Sequence, residues 1–545
     1  MDEFDYIVVG AGSAGCVVAS RLSEEPGTSV LLLEAGGKDD RLTIAMPLAF
    51  LKTLFDPTLS WGDMSEPEPH LGGRRLWLPR GKVLGGSSSI NGMFYMRGHP
   101  NDFDTWARLG ARGWSYADVL PYFRRMEDSW RGASEFHGVG GPLRVEPMQT
   151  AHLLHEPLRQ AVVAAGYPAT DDINGRNAEG AARGELTIDQ RGRRASAAAA
   201  YIRPVLGRKN LEVRLNALAH RILFDGQRAV GIEYSVGGAT RQVRARREVI
   251  LSCGVYNSPQ LLMLSGIGPA EHLSAMGIAV KADVPGVGRN VSEHPCCMME
   301  FVATRPVTFI NELRLDRATR HALQWLVFGT GKFATQVNSC NIILRTAPDL
   351  AQPDIQLMAN PVTFGARLWM PPFRARPDHR LACGVVVLNE RSRGWIQLRS
   401  TDPHERPAIT LNIMDDPWDL HTMMRGIREA RRIYRTAPQA ELTGTELLPG
   451  EQAQSDDELE HWIRQAVEIG QHAVGSCTMG TGPDAAVDPE LRVRGISGLR
   501  VIDASVMPTV PGGNTNATVI MIGEKGADLV KAARGRAACP APPTA

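Results

Sequence analysis

The chain opens with a polar stretch that gives way to the apolar run Tyr6 to Val9, which reads as a short buried β-strand ending at Gly10. Apolar residues at helical spacing follow Gly15. A second apolar run, Ser29 to Leu33, predicts another strand and ends at Glu34. Strand, helix and strand in this order predict a βαβ unit with a parallel pair of strands. Residues 35–80 lose the pattern, are rich in Gly, Pro and Asp, and read as extended loop. Residues 101–127 read as helical, with Trp106, Leu109, Trp114, Val119, Tyr122 and Phe123 as core positions. Leu211 to Glu233 alternates like paired strands around Asp225-Gly226. Val249 to Cys253 predicts a strand, followed by Gly254 and a helix that includes Leu261 to Leu264.

From about 298 to 455 the texture changes. Strand-like runs occur at Asn341–Leu344, Asp354–Leu357, Gly384–Leu388 and Trp395–Leu398, with a helix at about Asp419–Arg435. These predict a separate domain on a mainly antiparallel sheet flanked by helices. The strand-like Leu499–Ile502 then returns to the first pattern, with Asp503 at its end. The expected fold is therefore α/β: a discontinuous, Rossmann-like nucleotide-binding domain from 1–155, 205–297 and 460–535, and a substrate domain from 156–204 and 298–459. Residues 536–545, rich in Ala and Pro, are expected to be a disordered tail.

Chemistry enters with the glycines. Gly10, Gly12 and Gly15 form a G-x-G-x-x-G directly after the first strand. The first allows a tight turn, the second lets backbone approach a pyrophosphate, and the third lets helix pack on strand. The helix N-terminus at Ser13 and Ala14 offers unpaired N–H groups to phosphate. Glu34, 19 residues after Gly15 and followed by Ala35, stands where an acid can bind a ribose hydroxyl. The combination points to an ADP-containing dinucleotide without saying which one.

Composition excludes more than it identifies. With 545 residues the chain is too long for a single core. Sixty basic and 59 acidic residues give a net charge of +1, which provides no overall footprint for nucleic acid or an anionic membrane. The basic clusters Arg191–Arg194 and Arg241–Arg247 read as solvated faces. No apolar run reaches the roughly 18 residues of a membrane span. The first strand begins too early to leave room for a signal peptide. The eight cysteines are scattered without metal-ligand spacing, so no metal site is expected and reduced thiols in a cytoplasmic protein are.

Four further segments resemble the glucose–methanol–choline (GMC) flavoprotein oxidoreductases. They are Gly81-Lys-Val-Leu-Gly-Gly-Ser-Ser-Ser-Ile-Asn91, the stretch Gly254 to Gly268, His472-Ala-Val-Gly-Ser-Cys-Thr-Met-Gly480, and Asp503-Ala-Ser-Val-Met-Pro508 through Asn514-Thr-Asn516. Asn91–Gly98 and Thr170–Gly175 are most similar to the choline dehydrogenase-like and other bacterial alcohol-oxidising members. The resemblance implies FAD and the oxidation of a primary alcohol to an aldehyde, by hydride transfer to flavin N5. It implies that Gly81, Val83, Gly86, Asn91, Gly92, Met93, Phe94, Ala219, Asp503, Ala504 and Thr518 join the glycine motif in holding the cofactor. Some members tether the flavin through a histidine just before the signature asparagine. Ile90 stands there, so dissociable FAD is expected. Val255 and Ala473 depart from the family pattern without removing a chemical group.

His472 matches the family's catalytic histidine, and a base of ordinary imidazole pKa suits the hydroxyl proton. The second catalytic position, His or Asn in the family, is expected at Asn516, with Asn514 as the nearby competitor. Asp503 reads equally as a cofactor contact or a loop cap. Cys477 reads as a packing thiol, Ser87–Ser89 as hydroxyls on a flavin loop, and Trp61 as core or cofactor-facing. The expected partners are a small-molecule alcohol and an electron acceptor, oxygen or a quinone or dye. A lyase or light-driven decarboxylase on the same fold is the alternative, and a flavin-binding protein without turnover a third.

Overall fold

The structure, a computed structural model, describes residues 1–537. Two seven-stranded sheets organise it. In the first sheet, strands Leu499–Val501, Ala239–Leu251, Asp2–Val9, Val30–Leu33 and Leu211–Arg214 run parallel in that order. Tyr6 to Val9 and Val30 to Leu33 are buried on both faces, which is why they read as continuous apolar runs rather than alternating ones. Helix Ser13–Leu22 links the first two strands.

The long strand Ala239–Leu251 does two jobs. Its C-terminal half pairs with the first strand, and its N-terminal half pairs antiparallel with Arg228–Val236, which pairs with Ala217–Asp225. The alternating stretch from Leu211 is thus a parallel strand followed by a hairpin that turns after Asp225.

The second sheet is antiparallel, in the order Thr443–Leu448, Pro295–Ala303, Arg380–Val387, Ile355–Asn360, Cys340–Leu344 and Gly180–Ala182. Helix Pro417–Tyr434 lies across it. A Cβ at Gly426 would stand 2.7 Å from Ile355 Cδ1 and 2.8 Å from Val385 Cγ1, so glycine sets that close approach. Pro295–Ala303 straddles the boundary expected at 297/298, and Glu468–Ile469 pairs with it. The backbone therefore runs continuously from one sheet region into the other.

Three local expectations need correction. The helix expected over 101–127 is two helices, Pro100–Arg108 and Tyr116–Met126, separated by Gly110, whose φ of +101° ends the first. The loop at 35–80 contains the short helices Leu42–Ala45 and Phe50–Leu54. Trp395–Gln397 pairs with Ala408–Thr410 outside the main sheet. The last helix, Asn516–Ala537, occupies the start of the expected tail, and residues 538–545 lie outside the described residues.

That last helix packs against Ser13–Leu22. Glu524, fully buried, ties the two together: Arg21 lies at 2.8 Å, Arg125 at 2.7 Å, and the Tyr201 hydroxyl donates to it at 2.7 Å. A buried carboxylate needs such partners. The consequence is positional, because the N-termini of the first and last helices meet.

Candidate active site and cofactor cradle

A cavity of about 500 Å³ lies at the carboxyl ends of the parallel strands, where open α/β sheets bind ligands. Its walls include Gly10, Glu34, Ala219, Ser252, Asp503 and, from the second sheet, Met358 and Asn360. Gly10 has φ +96°, and a Cβ there would lie 2.4 Å from Ser252 O. Gly12 differs: a Cβ would meet only Ser252 O, at 3.8 Å, with the cavity beside it. The Gly81–Asn91 loop seats on this turn, since a Cβ at Gly86 would come within 2.7 Å of Gly12 Cα. No side chain caps helix Ser13–Leu22 at Gly12, so its first N–H groups remain available to an anion. This uncapped glycine cradle fits a dinucleotide's pyrophosphate.

Glu34 accepts hydrogen bonds from the backbone N–H groups of Ala11 (2.9 Å) and Gly36 (2.8 Å). Burial outweighs them and pushes its carboxyl up to about 7. Asp503 accepts from Gly254 N and Ser258 Oγ with one oxygen, and from Ser505 N and Oγ with the other. Its carboxylate is a loop organiser that also lies in the cavity wall. All the nominated cofactor residues line the cavity except Gly15, Val83 and Thr518. Gly15 packs the helix on the turn, Val83 bridges to Gly37, and the Thr518 hydroxyl is buried without a partner among the described residues. Ile90 lines the cavity and offers no atom for a covalent tether.

The Arg191–Arg194 cluster is not wholly solvated. Arg194 is buried and donates to the carbonyls of Ile44 (2.9 Å), Ser88 (3.2 Å) and Asn91 (2.6 Å) and to Asn91 Oδ1 (2.9 Å). It clamps the loop that forms one cavity wall. With no carboxylate partner among the described residues, burial lowers its guanidinium to about 9.

His472 is held by a chain of hydrogen bonds. Its backbone N–H donates to Glu293 Oε1 at 2.6 Å. Its Nδ1 lies 3.0 Å from Nδ1 of His294, whose Nε2 is 3.2 Å from Leu388 O. Its Nε2 is 3.0 Å from Nδ2 of Asn514. A carbonyl only accepts, so His294 carries its proton on Nε2 and presents a lone pair at Nδ1. His472 must then donate from Nδ1, which leaves its Nε2 lone pair facing the Asn514 amide and the cavity. Burial, then His294 and Arg80, hold the His472 imidazole well below its usual pKa. Burial lowers His294 to about 4. Both rings are neutral at pH 7.

Asn516 is placed otherwise. It is the first residue of the last helix, and its Oδ1 accepts from Ser13 Oγ at 2.7 Å. The amide that meets His472 belongs to Asn514, and its Oδ1 has no partner among the described residues. His294 escaped the sequence reading, because Glu293-His294 sits in no recognised motif. Its one signal was a pair of titratable residues at the head of an apolar strand. Burial, then the Asp503 carboxylate, push the Cys477 thiol upward, which is packing behaviour. Trp61 lies in the cavity wall with Lys82 and Arg406 over its ring, at 4.7 and 4.4 Å from the centroid.

With this geometry in place, comparison with known proteins adds the following. Family models described as GMC oxidoreductase match residues 4–296 and 390–523. Oxygen-dependent choline dehydrogenase of Brucella suis is 44% identical over 530 residues, covering 97% of this chain and 95% of that one. Human mitochondrial choline dehydrogenase is 42% identical over 543 residues, covering 97% and 90%. Among solved structures, pyridoxine 4-oxidase from Mesorbium loti superposes with a TM-score of 0.86 at 29% identity, covering 96% and 98%. Formate oxidase superposes with a TM-score of 0.91 at 27% identity, covering 98% and 99%. These relatives do not favour the lyase or decarboxylase alternative.

Proposed function

The chain belongs to the GMC oxidoreductase family and is an FAD-dependent oxidoreductase acting on CH–OH donors, and we propose that His472 is its base and Asn514 the amide that orients the alcohol. The observation that carries this reading is the ordered array Leu388 O, His294, His472, Asn514. It holds an unprotonated Nε2 beside the NH2 of an amide, which carries two N–H donors. An alcohol bound there replaces the Asn514–His472 contact: its hydroxyl donates to His472 Nε2 and gives up its proton there, while its oxygen accepts an N–H from Asn514 and is kept in place. FAD, when bound in the glycine cradle, supplies the hydride acceptor. The N-terminus of the last helix, at Asn516, lies in the cavity wall and directs its positive dipole end there. The FAD is dissociable in this reading, because Ile90 has no nucleophile.

The substrate is read from the rest of the wall. Phe309, Leu313, Met358, Val362 and Phe364 are apolar. Among the described residues lining the cavity, Glu34 and Asp503 are the carboxylates, and both are engaged in the cofactor cradle. Trp61 already carries two cations. A quaternary ammonium would be desolvated there without a counter-charge, at a cost of several kcal/mol. The substrate in this reading is a primary alcohol with an uncharged, apolar body. The free thiols among the described residues suit a reducing compartment such as the cytoplasm. The test is anaerobic mixing of the FAD-loaded enzyme with choline, linear alkanols and aryl alcohols. Uncharged alcohols should bleach the flavin at lower concentration than choline, and the reverse order would overturn the substrate reading.

A further inference from the structure

No helix among the described residues is long and apolar enough to cross a membrane. One face of the molecule nevertheless leaves large apolar side chains in water. Helix Leu315–Phe328 buries Ala318, His321 and Trp325. Its opposite side carries Leu315, Leu323, Leu326 and Val327, all exposed, along a stripe of roughly 18 Å. Beside the start of this helix lies the segment 361–376. The two are joined by backbone hydrogen bonds from Leu315 N to Trp369 O (2.9 Å) and from Trp369 N to Leu313 O (3.1 Å), and the buried Trp369 indole donates to Ile310 O (2.8 Å).

From this anchor the chain projects a tight turn, closed by paired hydrogen bonds between Met370 and Arg374. Phe373 sits in that turn and is 87% exposed, with Leu368 and Met370 exposed beside it. The turn is pinned at both ends, so the exposure is built into the backbone. Scattered exposed hydrophobics are ordinary, but a contiguous set on a fixed scaffold marks an interaction surface.

The charges on the same face are mostly basic. Residues 355–377 contain Arg367, Arg374 and Arg376 and no acid. Arg317 and Arg320 lie on the helix, and none of these five arginines forms an ion pair among the described residues. The acids nearby are already used: Asp316 pairs with Arg314, Glu312 with Lys332 and His321, and Asp378, just beyond the segment, with Arg380. A net charge of +1 over the chain conceals this local excess.

We propose that this face, the helix Leu315–Phe328 together with the turn at Phe373, docks the enzyme on an anionic lipid surface. Apolar side chains ringed by unpaired arginines match the boundary between acyl chains and acidic headgroups. A second copy of the chain suits the face less well, because a two-fold contact would bring each arginine toward its own counterpart. The position also serves the reaction. Phe364, half-exposed on the same segment, and Phe309 and Leu313, just before the helix, all line the cavity. The cavity's apolar wall therefore continues into the docking face, and an alcohol or electron acceptor dissolved in the bilayer would reach it without crossing bulk water.

The test is sedimentation of the FAD-loaded enzyme with vesicles of phosphatidylcholine alone and of phosphatidylcholine mixed with phosphatidylglycerol. Binding to the anionic vesicles, weakened by salt and absent on neutral ones, is expected. Phe373→Ser should lower partitioning at least about tenfold, and Arg374→Gln with Arg376→Gln by about twentyfold. Both variants should still be reduced by alcohol at the parental rate in solution. No binding to anionic vesicles at low salt, or equal binding by parent and variants, would overturn the proposal. So would a dimer, in sedimentation velocity without lipid, that Phe373→Ser dissociates.

Discussion

Asn514→Ala and Asn516→Ala differ by two positions in the chain and should differ by orders of magnitude in effect. Asn514 stands in a cavity wall with its Nδ2, a donor, 3.0 Å from His472 Nε2. Removing one donor that holds the reacting oxygen in a buried site costs about 2.7–4 kcal/mol, or roughly 10²–10³ in rate. Asn516 makes a neutral hydrogen bond to Ser13 Oγ at 2.7 Å. Its loss costs about 0.5–1.5 kcal/mol, at most roughly tenfold. That loss should fall on cofactor retention, because Ser13 opens the helix beneath the cradle. The assay is anaerobic stopped-flow flavin reduction at saturating alcohol, with FAD content measured for each variant. Asn514→Ala should stay fully loaded and reduce 10²–10³ times more slowly, while Asn516→Ala stays within tenfold of the parent per bound FAD. A fast, loaded Asn514→Ala beside a slow, loaded Asn516→Ala would refute the assignment and return the role to Asn516.

His472→Ala should keep FAD and lose reduction by roughly 10²–10⁴, the span of a general base. The parent's rate should be full at neutral pH and fall on acidification only below 6.5, because burial holds His472 well below its usual value and only the neutral ring accepts the proton. An acid limb near 7 would instead implicate Glu293, whose carboxyl burial pushes up to about 7. Acid precipitation should release all the FAD, and yellow colour in the washed pellet would contradict the reading of Ile90. Gly12→Val should purify without FAD yet melt as a folded protein, since its side chain has room only on the cavity side.

Much of the architecture was legible because local pattern and tertiary environment agree there. Tyr6–Val9 and Val30–Leu33 are apolar on both faces because helices and loops cover both faces of a parallel sheet. Gly10 and Gly86 stand where backbones meet at 2.4–2.7 Å from a side chain's position, and Gly12 where a side chain would enter the cavity. Positions governed by distant packing were less visible. Arg194 looked like one of a solvated run, and only the fold turns it under the Asn91 loop while Arg191 and Arg193 stay exposed. The docking face is invisible to composition, since its arginines and apolar residues come from two separate segments.

The exchange of roles proposed for the two asparagines has a specific cause. Asn514 and Asn516 share a motif, and residue type cannot separate them. The backbone changes state between them: Asn514 precedes the helix and Asn516 begins it. Whether an amide faces His472 or Ser13 is decided by that transition. The transition in turn depends on the last helix docking on the first, through Glu524, Arg21 and Tyr201. A contact centred on Glu524, two turns along the helix from Asn516, thus sets which of them meets the base. Loosening it should blur the distinction between the two asparagine variants, even though no residue of the active cavity is touched.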